Sequence, residues 1–187
     1  AIKIDLEDAV APTEKARART LVPAVAASVG QAGADVLVRI NRPWRMAVAD
    51  LEASVGADVN GIVIPKIESA DHVVFLEEIV AELEAERGLA PGHTCFTLQI
   101  ETAKGFLNVR EIAGASRRNK AISVGNEDFA HMLGMPETIS EALIGAMQTV
   151  QMAAREAGIL ALGYPGSIAN FSDLDAYRAD IARARAL

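Results

Sequence analysis

Short runs of Val, Ile and Leu recur along this chain, and most of them close on a polar or charged residue. Six such runs are predicted strands: Ala1 to Leu6, Asp35 to Ile40, Gly61 to Pro65, Cys95 to Ile100, Lys120 to Val124 and Ile159 to Leu162. They are short and apolar at consecutive positions, the pattern of parallel strands covered on both faces. The intervening segments carry helical spacing. Val73, Leu76, Ile79, Val80 and Leu83 form one apolar stripe, and Leu143, Met147, Val150 and Ala154 form another. Thr13-Glu14-Lys15 after Pro12 reads as the first turn of the first helix, and Gly30-Gln31-Ala32-Gly33 as its glycine-capped end. Strand starts recur every 25 to 40 residues or so, the length of a βα unit.

Six βα units without a low-complexity linker predict one α/β domain over residues 1–187. Repeated crossovers of one hand either wind an open sheet on both faces or close a barrel. A (β/α)8 barrel needs eight strands and typically about 250 residues, so this chain is short by about two units. An open six-strand arc would leave two unpaired edges and an uncovered interior. A dinucleotide-binding sheet fails on motif: no strand runs into GxGxxG, and no GxxxxGK[ST] occurs.

Composition adds limits. With 51% hydrophobic and 23% charged residues the chain carries enough apolar surface for an ordered core. Aromatics at 4% point to aliphatic packing. A net charge of -7 argues against nucleic acid as a partner, although a local basic cluster could hold an anion. The lone Cys95 cannot form an internal disulfide, which suits a reducing, cytoplasmic setting, and it reads as a small buried hydrophobe. No apolar run approaches the roughly 18 residues of a membrane span. The chain opens on Ala1 without an initiator Met, so a processed or truncated start is expected.

Candidate chemistry gathers at one end of the strands. Asp5-Leu6-Glu7-Asp8 ends the first, Arg39-Ile40-Asn41 the second and Pro65-Lys66 the third. Glu101 and Asp128 follow the fourth and fifth, Asp128 within Gly125-Asn126-Glu127-Asp128. Two carboxylates at the ends of successive parallel strands suit Mg2+, which takes one or two protein carboxylates and leaves its other positions to water and substrate. The competing reading is that each acid caps the helix that follows. Arg39 lies in an otherwise apolar strand and needs a partner, either Glu7 or a substrate carboxylate that its planar fork would grip. His72, His93 and His131 are scattered and read as helix-face or surface residues.

These residues carry a resemblance. Asp5-Leu6-Glu7-Asp8-Ala9-Val10 with Lys15-Ala16-Arg17, Val38-Arg39-Ile40-Asn41, Ile64-Pro65-Lys66-Ile67-Glu68, Ile100-Glu101-Thr102 and Gly125-Asn126-Glu127-Asp128, in that order, resemble the HpcH/HpaI aldolase and citrate lyase beta-subunit-like family. Pro165-Gly166-Ser167-Ile168-Ala169-Asn170-Phe171 resembles one branch of it. The resemblance implies a TIM barrel of the phosphoenolpyruvate/pyruvate type, with the first and last strands missing from this chain. It implies Mg2+-dependent cleavage or formation of a carbon–carbon bond in a β-hydroxyacyl-CoA such as malyl-CoA, citramalyl-CoA or a citryl thioester. Glu101 and Asp128 would then be the metal ligands, and Arg39 would act on the substrate's carboxylate or carbonyl oxygens. Asn126 and Glu127 would contact the substrate near the first amides of their helix, with Glu7, Asp8 and Lys15 as further substrate contacts. Asp8 stands where one branch has a His, which favours the citrate lyase-like branch. Trimers or hexamers are implied, and in some members a neighbouring subunit supplies a catalytic acid that has no counterpart among the motifs above. Two rivals remain: a class II aldolase on free 2-keto acids and aldehydes, and a non-catalytic subunit that binds acyl-CoA or other subunits.

Overall fold

In the computed structural model, residues 1–135, 141–165 and 172–186 are described below; residues 166–171 of the last motif lie outside them. Six strands form one parallel sheet in sequential order: β1 (Ile2–Asp5), β2 (Val36–Arg39), β3 (Gly61–Ile64), β4 (Cys95–Ile100), β5 (Asn119–Val124) and β6 (Leu160–Leu162). The helices are α1 (Lys15–Val29), α2 (Trp44–Ser54), α3 (Ala70–Glu86), α4 (Ala103–Leu107), α5 (Val109–Gly114), α6 (Asn126–Met132), α7 (Ile144–Ala157) and α8 (Leu174–Ala186).

Helices pack neighbour to neighbour in strand order, α1 on α2, α2 on α3, α3 on α5 and α5 on α7. They therefore form one layer on one face of the sheet. A doubly wound sheet would divide them between both faces. This is the single winding of a (β/α) barrel wall, and among the described residues the sheet is not closed on itself. Phe96, Leu98, Ile100, Ile62, Ile64, Val38 and Ile122 face the helices and build the core with Val73, Leu76, Val80, Met147 and Val150. Both predicted helical stripes are thus core-facing.

The expectation of strands covered on both faces holds for β3 and fails elsewhere. β4 alternates half-buried and buried residues, because its Cys95-Thr97-Gln99 side has no helix on it. Cys95 is accordingly half-buried rather than buried. The edge strands expose Ile2, Leu160 and Leu162. The first helix also begins later than read: Pro12–Glu14 is a 3-10 turn and α1 starts at Lys15. Its end is drawn out through a second 3-10 turn to Gly33, whose φ of 80° makes the left-handed stop. No described helix is long and apolar enough to cross a membrane.

Candidate active site

Asp5 ends β1 and Arg39 ends β2, and the two are register neighbours in the parallel pair. Their side chains therefore leave the sheet together. Asp5 Oδ1 accepts from Arg39 Nε at 2.8 Å and Oδ2 from Nη2 at 2.5 Å, a two-point grip on the guanidinium. Arg39 Nη1 lies 3.0 Å from Glu7 Oε2 and 3.3 Å from Asp8 Oδ2. The predicted Arg39–Glu7 pair exists, but Asp5 makes the stronger contact. Hydrogen bonding to Asp5 keeps the guanidinium firmly protonated. Burial alone would raise the Asp5 carboxyl, yet the Arg39 bonds and the amides of Glu7 and Ala9 hold it below its ordinary value.

Glu7 is buried and Asp8 is mostly exposed. Lys15, expected at a substrate phosphate, sends its ammonium to the carbonyls of Leu6 (2.7 Å) and Glu7. It thereby ties α1 to the loop that carries both acids, with one donor left over.

Glu101 is buried at the end of β4. The capping role belongs to its neighbour: Thr102 Oγ1 accepts from the Gly105 amide at 3.0 Å at the start of α4. Glu101 instead turns across Gly125, where an added Cβ would stand 2.3 Å from Oε1. Its Oε2 accepts from the Lys66 amide at 2.9 Å. Burial, reinforced by the charges of Glu7 and Asp128, pushes the Glu101 carboxyl up to about 7. Asp128 sits with Asn126 and Glu127 in the first turn of the short helix α6. Asn126 Nδ2 donates to the Tyr164 carbonyl at 2.7 Å, fixing α6 against the segment after β6, while Glu127 is exposed.

Lys66 joins these groups, and its role was not read from the sequence. Its ammonium lies 2.6 Å from Asp128 Oδ2 and 2.8 Å from Glu7 Oε1. Burial would lower this ammonium, but the bonds to Asp128 and Glu7 and the charge of Glu101 raise it well above its ordinary value. Its backbone is left-handed, with φ of 50°, the one described non-glycine residue with positive φ. Such a conformation costs about 1 kcal/mol or more and persists only when the surroundings dictate it. Here the Glu101 carboxylate holds its amide, Arg42 Nε holds its carbonyl at 2.9 Å, and two acids hold its side chain. Arg42 in turn stacks over Trp44, 4.3 Å from the ring. The signal available was the Pro65-Lys66 strand end itself.

No cluster of three or more His, Cys, Asp or Glu poised around one metal position occurs among the described residues. Two hard carboxylates, Glu101 and Asp128, crowded by a third negative charge from Glu7, are a donor set that fits Mg2+ with its remaining positions left to water and substrate.

The sequence model of the HpcH/HpaI aldolase/citrate lyase family matches residues 1–187. L-malyl-CoA/beta-methylmalyl-CoA lyase of Cereibacter sphaeroides is 32% identical over 208 residues, covering all of this chain and 64% of the relative. Citrate lyase subunit beta of Leuconostoc mesenteroides subsp. cremoris is 36% identical over 164 residues, covering 86% of this chain and 54% of the relative. This chain thus spans less than two thirds of the length of either. The crystal structure of protein CitE from Mycobacterium tuberculosis in complex with magnesium and acetoacetate superposes with a TM-score of 0.75 at 26% identity, over 100% of this chain and 72% of that one.

Proposed function

This chain belongs to the HpcH/HpaI aldolase/citrate lyase family, and from that premise we propose that it is a Mg2+-dependent carbon–carbon lyase acting on a β-hydroxyacyl-CoA. The observation that carries this reading is the convergence of Glu101, Asp128, Glu7, Lys66 and Arg39 at the C-terminal ends of five successive strands, the face on which (β/α) barrels place their chemistry. The thioester substrate is supported by the names of the malyl-CoA lyase and citrate lyase relatives.

Glu101 and Asp128 would hold the metal. Bound there, Mg2+ supplies Lewis-acid polarisation of the substrate oxygen that gains charge as the bond breaks. Arg39 does the complementary work. Asp5 fixes its fork on two nitrogens, leaving Nη1 for Glu7 and Asp8. Asp8, the exposed member, is the contact that a substrate carboxylate or carbonyl oxygen would replace. A preorganised guanidinium then meets developing negative charge without reorganising. Asn126 and Glu127 bring the first amides of α6 beside the same position, and Lys15 offers its remaining donor from beneath the loop. No side chain is assigned as the proton donor.

Cytoplasmic location and a trimeric or hexameric assembly complete the proposal. The single half-buried Cys95 supports the first. The exposed apolar residues of β1 and β6 support the second only in showing that apolar surface remains to be covered.

The test is cleavage of malyl-CoA and citramalyl-CoA by the full-length protein, with and without Mg2+, beside Glu101→Gln. Metal-dependent release of acetyl-CoA or propionyl-CoA and a keto acid, with at least a hundredfold loss in the variant, is the expected result, since transition-state charge stabilisation of this kind typically contributes about that much. Equal rates in the two proteins would remove Glu101 from the mechanism. Cleavage of free 2-keto acid aldols without CoA would favour the aldolase instead.

A further inference from the structure

Lys66 is the described residue that contacts both proposed metal ligands, Glu101 and Asp128, and Glu7 as well. Its amide binds Glu101, and its ammonium binds Glu7 and Asp128. An ammonium 2.6 Å from Asp128 Oδ2 occupies one of that oxygen's two lone-pair directions, and a Mg2+ ion on the other, at about 2.1 Å, would sit directly beside its positive charge. An ion on the other oxygen of Asp128 would stand only a few Å from the same positive charge, which costs on the order of several kcal/mol even at surface-like screening. The ammonium and the metal are therefore alternatives at Asp128.

We propose that Lys66 is the resident counter-ion of this site, and that a divalent cation binds Glu101 and Asp128 only as the Lys66 ammonium lets go of Asp128 and withdraws onto Glu7. This rests on the metal assignment made above. The backbone suits such a hinge-like exchange. The φ of 50° at Lys66 is fixed by the Glu101 carboxylate and by Arg42, neither of which has to move when the side chain swings. Glu7 remains as the place to withdraw to, already at 2.8 Å and already buried. The acidic cluster then never stands without positive charge: before metal arrives the lysine neutralises it, and afterwards the metal does.

Competition of this kind weakens the apparent affinity by the fraction of molecules in which the site is open. If Lys66 holds Asp128 in about nine molecules of ten, removing the lysine tightens metal binding about tenfold. The measurement is Mn2+ binding to the full-length protein by electron paramagnetic resonance, on the unaltered chain, Lys66→Gln, Lys66→Asn and Lys104→Gln. Asn tolerates the left-handed backbone and is too short to reach Asp128. Lys104 is largely exposed and lies 4.0 Å from Glu68, so its variant reports what loss of a nearby charge does by itself. The expected result is about tenfold tighter Mn2+ binding in both Lys66 variants and less than twofold change in Lys104→Gln. Unchanged or weaker binding in the folded Lys66 variants, or an equal gain in Lys104→Gln, would overturn the counter-ion role while leaving the metal site standing. No Mn2+ binding in any of the four proteins would overturn both.

Discussion

Glu101 is a carboxyl that the folded chain prefers uncharged. Its pKa is pushed up to about 7 by burial first and by the charges of Glu7 and Asp128 second. The consequence for metal-free protein follows from linkage. Between the unfolded value near 4.5 and the folded value near 7, the native state binds the proton and the unfolded state does not. This stabilisation is complete below about pH 4.5 and is lost as pH rises through 7, an amount on the order of 3 kcal/mol. Glu101→Gln cannot titrate. Metal-free thermal unfolding from pH 4.5 to 8 should therefore show the unaltered protein losing Tm relative to the variant as pH rises. Parallel curves would mean that Glu101 is charged in the fold without metal. The same proton competes with a metal, so Mg2+ affinity should fall as pH drops below 7. Both effects belong to one side chain, and the sequence made it visible: an acid closing an apolar run. The role of Asp5 was less visible. Arg39 reads from sequence as needing one partner, and only the register of β1 on β2 shows that Asp5 stands beside it.

Between strands and helices, two glycines set how closely the site's elements approach, and they should behave differently. A Cβ on Gly125 would meet Oε1, Cγ and Cδ of Glu101, side-chain atoms that can turn aside. A Cβ on Gly105 would stand 2.2 Å from the Ile67 carbonyl, which is backbone. Gly125→Ala should therefore keep the fold and push Glu101 aside, weakening Mn2+ binding by ten- to a hundredfold, the usual penalty for disturbing a ligand's support. Gly105→Ala must move α4 off the loop after β3, and should cost roughly 2–4 kcal/mol in urea unfolding. Unchanged metal affinity in Gly125→Ala would show that Glu101 does not need its place across that glycine. The sequence placed all six strands to within a residue or two, because aliphatic runs bounded by charge have few other uses in an α/β chain. It did not reveal what Gly125 and Gly105 are for, since a close approach between β4 and the start of α6 is a fact of packing. Nor did it reveal what Lys66 does, since its three acidic contacts come from segments 35 to 62 residues away in either direction, a constellation that no local spacing encodes.

Across the whole molecule, the sheet separates holding from acting. At the end opposite the site, Glu84 on α3 accepts two bonds of 2.7 Å from Arg118 and two more from the amides of Gly92 and Thr94. One buried ion pair thus ties a helix to the starts of β4 and β5. Burial would raise Glu84, but these bonds outweigh it and hold its carboxyl down at about 2. The sign is the reverse of that at Glu101: the stabilisation is present above the unfolded value near 4.5 and is lost as pH falls through 2. Such a division, stability at the strands' N-terminal end and chemistry at their C-terminal end, is the logic of a barrel wall. It was legible in outline from charged residues closing one end of five apolar runs, whereas Glu84 and Arg118 were hidden among ordinary helix and loop charges. Glu84→Gln leaves the buried Arg118 guanidinium with a neutral amide and the more distant Glu77, 3.6 Å from its Nε, a loss of about 3 kcal/mol. At roughly 2–4 °C per kcal/mol for a chain of this size, Tm at pH 7 should drop by on the order of 10 °C. Mn2+ affinity, measured well below that Tm, should stay within about twofold, because distant sites without shared contacts act additively. The Tm gap should also narrow as both proteins are taken toward pH 2. A tenfold loss of metal affinity in Glu84→Gln would mean instead that the two ends of the sheet are coupled.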